Sequence, residues 1–207
     1  WWVEATVGRI MFQGSWSTAW FSGDCYQYKG RYIVTSMKSG LMLVDQHRAH
    51  VRVLFQRYLS QLNEHGSASQ GLLFPEMFTV STVQSVVMEQ LLDDFYNLGF
   101  DISNMGGGSY AIQAVPVGID GIDPIKLVSN MLNDAIEKGN VSKNEIHQAL
   151  ALTMARSAAI VVGQVLSQDE MSVLIDELFA CEVPAYTPNG KKTFVIIDDD
   201  ELFTRFN

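Results

Sequence analysis

The stretch Leu43-Val44-Asp45-Gln46-His47-Arg48-Ala49-His50 decides how the best-patterned part of this 207-residue chain folds. An apolar strand ends here and a helix begins, because Asp45 is a favoured N-cap residue and apolar residues follow at helical spacing. They are Val51, Leu54, Phe55, Tyr58, Leu59 and Leu62, and they predict a helix over 46–62 with one face in the core. Such a junction can also hold an acid and imidazole rings together, as a metal site or a hydrolytic site requires.

The composition indicates a globular chain that neither crosses a membrane nor depends on disulfides. Hydrophobic residues make up 47 % and charged residues 18 % of the chain, an ordinary balance for a folded domain. No apolar run approaches the roughly 18 residues that a membrane helix needs. The two cysteines, Cys25 and Cys181, are too few for a disulfide framework or a cysteine-rich zinc site. Because the chain starts at Trp1-Trp2 without a basic leader, we expect a fragment of a longer cytoplasmic protein.

The net charge of −9 argues against tight autonomous binding to a DNA duplex, since an acidic domain gains little from counterion release. The only candidates for a local basic patch are Lys191-Lys192 and the series Arg48, Arg52 and Arg57. A solvated charged face is the favoured interpretation of both.

Strands and helices of moderate length can be assigned on either side of the central helix. Residues 1–23 are rich in aromatic side chains but lack a clear period, and they stay unplaced. Turn residues and alternating patterns predict strands over 26–28, 32–34, 41–44, 72–80, 100–103, 110–115 and 193–197. Caps and apolar spacing predict helices after residue 82, after Asp123-Pro124, and over 142–162, 167–180 and 199–206. Capping boxes open two of them, Ser142 with Glu145 and Ser167 with Glu170. In the second helix the core positions are Val83, Val87, Met88, Leu91, Leu92, Phe95 and Leu98. The chain is therefore of the α/β (α+β) class.

Three segments in order along the chain resemble the C-terminal domain of the bacterial MutL mismatch-repair proteins. Gln27 precedes a Tyr-Ile strand, a glycine turn and the Asp-Gln-His junction at residues 45–47. Arg156-Ser157-Ala158 is similar to part of the family's Ala-Cys-Arg motif, and 187–191 falls where its Cys-Pro-His-Gly-Arg segment would be. The resemblance covers roughly 24–207 and is weakest over 80–140. It implies a dimerisation subdomain made of 24–79 and 141–207, with an external subdomain inserted at 80–140.

For the nuclease branch of that family, the resemblance implies a two-metal site that activates water for phosphodiester cleavage. Asp45, Gln46 and His47 match its pattern, but the other ligand positions do not. The changed positions are Val51 and Gln56 for two glutamates, Ala155 and Thr187 for two cysteines, and Asn189 for a histidine. Valine and alanine cannot bind a metal, and threonine and asparagine are weak donors beside thiolate and imidazole. The resemblance therefore implies the endonuclease-minus branch, with no catalytic residue, metal or cofactor in this fragment.

The segment Gln70-Gly71-Leu72-Leu73-Phe74-Pro75 fits the pattern Gln-x-x-Leu-x-Pro at Gln70, Leu73 and Pro75. In MutL C-terminal domains this pattern resembles that of other ligands of the bacterial sliding clamp. Such a peptide binds in an extended form with its apolar residues in a groove. The alternative is an ordinary strand between two subdomains. Because proline cannot donate to a sheet ladder, we expect exposed, edge or irregular geometry here.

Three weaker features have plain structural interpretations. Gly106-Gly107-Gly108 lacks a following Lys-Ser/Thr and predicts a hairpin turn, not a phosphate loop. The acids at 198–201 suit the first turn of a helix better than a cation site. Cys181 lacks a base nearby in the sequence and is interpreted as structural.

The function that the resemblance implies is homodimerisation and partner docking in mismatch repair. The resemblance implies an N-terminal ATPase domain, absent here, that drives a clamp-like cycle, and repair factors including the sliding clamp as partners. A rival hypothesis is a metal-dependent endonuclease with ligands replaced by His50, Asp198 or Glu201. A third, independent of the resemblance, is a small-ligand-binding α/β module with a deep apolar pocket.

Overall fold

A computed structural model describes residues 24–64, 67–119, 121–139 and 142–207; the unplaced segment 1–23 lies outside them. These residues form two antiparallel sheets and six helices, so the predicted α+β class is confirmed. The strands are β1 (Tyr26–Tyr28), β2 (Tyr32–Met37), β3 (Gly40–Asp45), β4 (Ser69–Thr79), β5 (Asp101–Gly106), β6 (Ser109–Pro116) and β7 (Phe194–Asp198). The helices are α1 (Gln46–Glu64), α2 (Thr82–Asn97), α3 (Pro124–Lys138), α4 (Lys143–Ala158), α5 (Gln168–Ala180) and α6 (Asp199–Phe206).

The described residues form two compact units, one of 24–49 with 161–207 (unit 1) and one of 50–160 (unit 2). Helix α1 starts in unit 1 and supplies unit 2 from His50 onward. The subdomain boundaries expected from the family resemblance, after 79 and after 140, stay a prediction.

Unit 1 is built on a four-stranded antiparallel sheet in the order β1-β2-β3-β7. Successive residues of each strand point to opposite faces of the sheet. One face is buried, and its residues Ile33, Met42 and Val44 are inaccessible to solvent. At the end of the sheet the ring of Phe179 in α5 packs 5.2 Å from the ring of Phe194. Helix α5 begins at the predicted capping box, with both reciprocal contacts between Ser167 and Glu170 present.

Unit 2 combines a three-stranded sheet, in the order β4-β6-β5, with α2, α3, α4 and most of α1. Its largest fully buried side chains are Tyr110, Phe95, Phe100, Leu62, Met88, Leu98, Ile112, Leu127, Met131 and Leu132. Caps predicted from sequence start two of its helices: Asp123 accepts from the amide of Lys126 before Pro124, and Ser142 forms a full capping box with Glu145.

Two predictions within unit 2 are wrong in detail. Helix α4 ends at Ala158 and not at residue 162, because Ala159 takes an extended backbone and the amide of Ile160 donates to His50 Nδ1 at 3.0 Å. The predicted core residue Val83 is 69 % exposed. It lies in the first turn of α2, where the apolar spacing continues one turn beyond the buried stripe.

Candidate functional site

The carboxylate of Asp45, the acid at the strand–helix junction, is used in capping the helix and in ion pairs. Its side chain is buried and accepts a hydrogen bond from the amide of Arg48 at 3.1 Å, as an N-cap residue does. The same carboxylate lies 3.6 Å from Arg31 Nη2 and 3.5 Å from Arg48 Nε. Two guanidinium groups and a helix start therefore account for this acid without a metal ion.

Gln46 is the centre of a buried hydrogen-bond network that the sequence patterns did not reveal. Its side chain is fully buried, accepts from Gln27 Nε2 at 2.7 Å, and donates to the carbonyls of Gly30 at 2.8 Å and Gln164 at 3.1 Å. Gln27 also donates to the Gln164 carbonyl and accepts from the amide of Leu166 at 3.2 Å. We call Gln27, Gln46 and these backbone partners the glutamine network. Its hydrogen bonds connect loop 160–167 to the β1–β2 turn.

The two histidines of the junction have different surroundings. His47 is half-buried in the first turn of α1. His50 receives the Ile160 amide on Nδ1, so this ring stabilises the backbone just after the end of α4. His47 and His50 are three positions apart, which places them on one face of α1. Among residues 24–64, 67–119, 121–139 and 142–207, no cluster of three His, Cys, Asp or Glu that could hold a metal ion occurs.

The five positions that differ from the nuclease pattern serve packing, a side-chain hydrogen bond or turn formation. Val51 and Ala155 are buried in the core of unit 2. Gln56 is half-buried and accepts from Arg52 Nη2 at 3.3 Å. Thr187 is buried, donates to Asn189 Oδ1 at 2.8 Å and accepts from the amide of Lys191 at 3.1 Å, which closes the turn at 187–191.

The substitute ligands of the endonuclease hypothesis are also engaged. Asp198 accepts from the amide of Glu201 at 2.7 Å and caps α6. The Glu201 carboxylate lies 2.7 Å from Arg205 Nη2. These two acids lie at the start of a helix, where the sequence pattern predicts them.

Arg52 departs from the predicted solvated basic face. Its side chain is buried, its guanidinium lies 5.7 Å from the centre of the Phe55 ring, and Nε has no hydrogen-bond partner. Arg48, in contrast, is half-exposed and donates to the Lys192 carbonyl at 3.1 Å. The sequence pattern of α1 does not predict that Arg52 is buried, because a charged residue in a helix is normally assigned to its solvent-exposed face.

The segment Gln70–Pro75 lies in β4, an edge strand of the unit 2 sheet. Gly71 pairs with Ala114 and Glu76 with Ile112, so the four residues from Leu72 to Pro75 stand opposite the single residue Gln113. This wide bulge leaves Leu73 88 % and Phe74 78 % exposed, and Gln70 is also exposed. The predicted exposed and irregular geometry is confirmed, whereas the role as a ligand stays a prediction.

The remaining features behave as their plain interpretations predict. Gly106–Gly108 forms the hairpin turn between β5 and β6, with positive φ angles at all three glycines. Cys181 is buried at the end of α5, and its Sγ donates to the Glu177 carbonyl at 3.4 Å. Within the described part of the chain, the helices are too short or too polar to cross a membrane.

A family model for the MutL C terminal dimerisation domain matches residues 25–166. The matched range contains the Asp45–His47 junction, the glutamine network up to Leu166 and the whole of unit 2. The match identifies the fold as that of a class of domains that mediate dimerisation.

Full-length relatives carry the same domain. The chain is 54 % identical over 176 residues to the DNA mismatch repair protein MutL of Bacteroides fragilis, covering 85 % of this chain and 28 % of that protein. It is 48 % identical to MutL of Phocaeicola vulgatus over 87 % of this chain and 36 % identical to MutL of Chlorobaculum tepidum over 87 %, in each case 29 % of the relative. The chain belongs to the MutL C-terminal dimerisation domain family, and it spans less than a third of the length of these relatives.

Proposed function

We propose that this domain joins two copies of a mismatch-repair protein through the open face of the unit 1 sheet. The strand register carries the proposal: Tyr26 pairs with Val34, Val34 with Leu43, and Leu43 with Val195, so one apolar row crosses all four strands. We define the apolar sheet face as Tyr26, Tyr28, Val34, Leu41, Leu43, Val195 and Ile197. Its members are exposed or half-exposed.

Among the described residues, nothing in unit 1 covers the apolar sheet face. The opposite side holds Ile33, Met42 and Val44, which are fully buried. An antiparallel sheet with one face in water normally shows polar residues on that face. A contiguous exposed apolar surface marks an interaction site, and a stable interface needs about 800 Å² from each partner.

Charge reversal on the apolar sheet face tests the dimer. The variants Val34→Glu and Leu43→Glu place carboxylates in the middle of the proposed interface and should convert the dimer into a monomer in sedimentation equilibrium. The matched control is Val173→Glu, a valine of α5 that is 54 % exposed and lies outside that face. If the wild-type chain is a monomer at micromolar concentration, or if all three variants dimerise alike, the proposal is wrong.

We propose further that the domain does not cut DNA and needs no metal or cofactor. The support is the structural use of Asp45 and Gln46 together with apolar residues at Val51 and Ala155. Supercoiled DNA incubated with the chain and Mn²⁺ should stay intact, and Val51→Glu should not restore nicking. Nicking by the unmodified chain that is lost in His47→Ala would contradict this proposal.

Residues 70–75 are proposed as the docking segment for the bacterial sliding clamp. The bulge supports this, because Leu73 and Phe74 are presented to solvent without disturbing the strand pairs on either side. A six-residue contact buries little surface, so affinity should fall in the range of ~10–100 µM.

Binding of the clamp can be measured by fluorescence anisotropy of labelled clamp. Gln70→Ala with Leu73→Ala should abolish binding and leave the dimer intact. Met77→Ala is the control, since Met77 is 55 % exposed on the same strand but outside the motif. Equal loss of binding in the control and the double variant would exclude this segment as the specific ligand.

The relatives extend well beyond the part that this chain matches. We propose that a cytoplasmic ATPase region precedes the domain, and that the dimer holds two such arms together during repair. Residues 80–140 would form an external subdomain between the two parts of the dimerisation subdomain.

A further inference from the structure

Apart from the backbone hydrogen bond from Asp199 to the Ser39 carbonyl at 3.3 Å, helix α6 is held mainly by contacts within itself. Asp198 caps its N-terminus, Arg205 pairs with Glu201 one turn earlier, and Thr204 donates to the Asp200 carbonyl. None of its residues is buried. Phe203 is 72 % and Phe206 89 % exposed, and Leu202 is half-exposed.

Among residues 24–64, 67–119, 121–139 and 142–207, nothing covers the apolar stripe of this helix. Phe206 comes four positions after Leu202 and three after Phe203, so it is a neighbour of both on one side of the helix. An isolated helix of this length is marginal in water, and helices in proteins gain most of their stability from packing an apolar face. A cap and one ion pair each contribute only a small fraction of what two buried phenylalanines would.

We propose that α6 is a dimerisation arm whose Phe203 and Phe206 pack against a second copy of this chain. The inference rests on the proposed homodimer. A second copy is the fitting occupant because α6 follows β7 directly, and β7 carries Val195 and Ile197 of the apolar sheet face. In a symmetric dimer the two arms would together bury four phenylalanine rings.

The charge of α6 argues against a membrane surface as the occupant. Its first turn holds Asp199, Asp200 and Glu201, and Arg205 is its only basic residue. Interfacial helices carry lysine and arginine on the polar face and bind anionic lipid. An acidic helix with two exposed rings fits a protein surface instead.

The double variant Phe203→Ala with Phe206→Ala tests the arm in the full chain. Because both rings are exposed within the subunit, their removal leaves the fold of each subunit intact, which far-ultraviolet circular dichroism will verify. The dissociation constant of the dimer should rise at least ~tenfold in sedimentation equilibrium. Thr204→Ala on the same helix is the control and should dimerise like the wild type.

Amide hydrogen exchange supplies a second readout. The amides of α6 should be protected when the protein is dimeric and lose that protection on dilution below the dissociation constant. An unchanged dissociation constant in the double variant, or protection independent of concentration, overturns the arm while dimerisation through the sheet stands. A wild-type chain that is monomeric overturns both proposals together, and variants of the sheet face distinguish the two.

Discussion

Arg52 Nη2 lies 3.3 Å from Gln56 Oε1, so a buried guanidinium on α1 has a neutral amide where a carboxylate would neutralise it. The two residues are one helical turn apart, and Arg52 forms no ion pair among the described residues. A buried charge without a counter-charge is costly. Position 56 is also one of the positions at which the family resemblance implies an acid, so an acid there would bear on stability as well.

The variant Gln56→Glu should therefore stabilise unit 2. A charge-assisted hydrogen bond to Arg52 replaces a neutral one, and we expect the free energy of unfolding to rise by ~1 kcal/mol. Urea denaturation measures the change. In an Arg52→Met background the same substitution should give no gain, and a gain that persists there would show that the ion pair is not the cause.

The glutamine network should be as important for stability as a core residue. Gln46→Leu removes the donor to the Gly30 and Gln164 carbonyls and leaves Gln27 without its side-chain acceptor. We expect a loss of ~2–4 kcal/mol in the free energy of unfolding. Gln90→Leu, on an exposed site of α2, is the control. Equal urea midpoints for wild type and Gln46→Leu would contradict a structural role for this residue.

Gly30 combines a left-handed backbone with a close approach. Its φ is +60°, and a Cβ there would lie 2.9 Å from the Cα of Gly163. Gly118 has a φ of +91° but open space around it. Both Gly→Ala variants carry the backbone strain, whereas only Gly30→Ala carries the clash. We expect the free energy of unfolding of Gly30→Ala, from thermal denaturation, to be lower than that of Gly118→Ala by at least ~1 kcal/mol. Equal losses would show that the β1–β2 turn can move away from Gly163 at no cost.

Two exposed capping boxes should make stability depend on acid. Hydrogen bonds from Ser142 and from Ser167 hold the pKa values of Glu145 and Glu170 below the ordinary 4.5. A lowered folded-state pKa means that the stabilisation is present above 4.5 and is lost as the pH falls through the lowered value.

Unfolding midpoints measured between neutral and acidic pH test this dependence. The variant Glu145→Gln with Glu170→Gln keeps the amide acceptor but cannot titrate, so its midpoint should fall less steeply with acid. Glu137→Gln changes an exposed carboxylate outside any capping box and is the control. If control and double variant have the same slope, the boxes do not contribute to the acid response.

Features that depend on neighbours in sequence could be predicted. Asp45, Asp123, Ser142 and Ser167 were identified as helix caps because a cap needs only the next three residues. The hairpin at Gly106–Gly108 follows from turn chemistry in the same way.

Features set by distant partners could not. Helix α4 ends early because His50, 110 positions away, accepts the Ile160 amide. Gln46 meets the Gln164 carbonyl across 118 positions. The pattern around Gln70 and Pro75 predicted irregular geometry but not a four-residue bulge, since the width of a bulge depends on the register with β6.

In most strands the same residues pair with the neighbouring strand and present side chains to solvent. In β4 the bulge assigns these two roles to different residues. Pairing resumes at Glu76 whatever side chains stand between Gly71 and it, because the sheet contributes only Gln113 to that interval. The side chains of Leu72 to Pro75 can therefore change while the ladder on both sides persists. In evolutionary terms, the surface that this segment presents to solvent can be selected independently of the residues that fold the sheet.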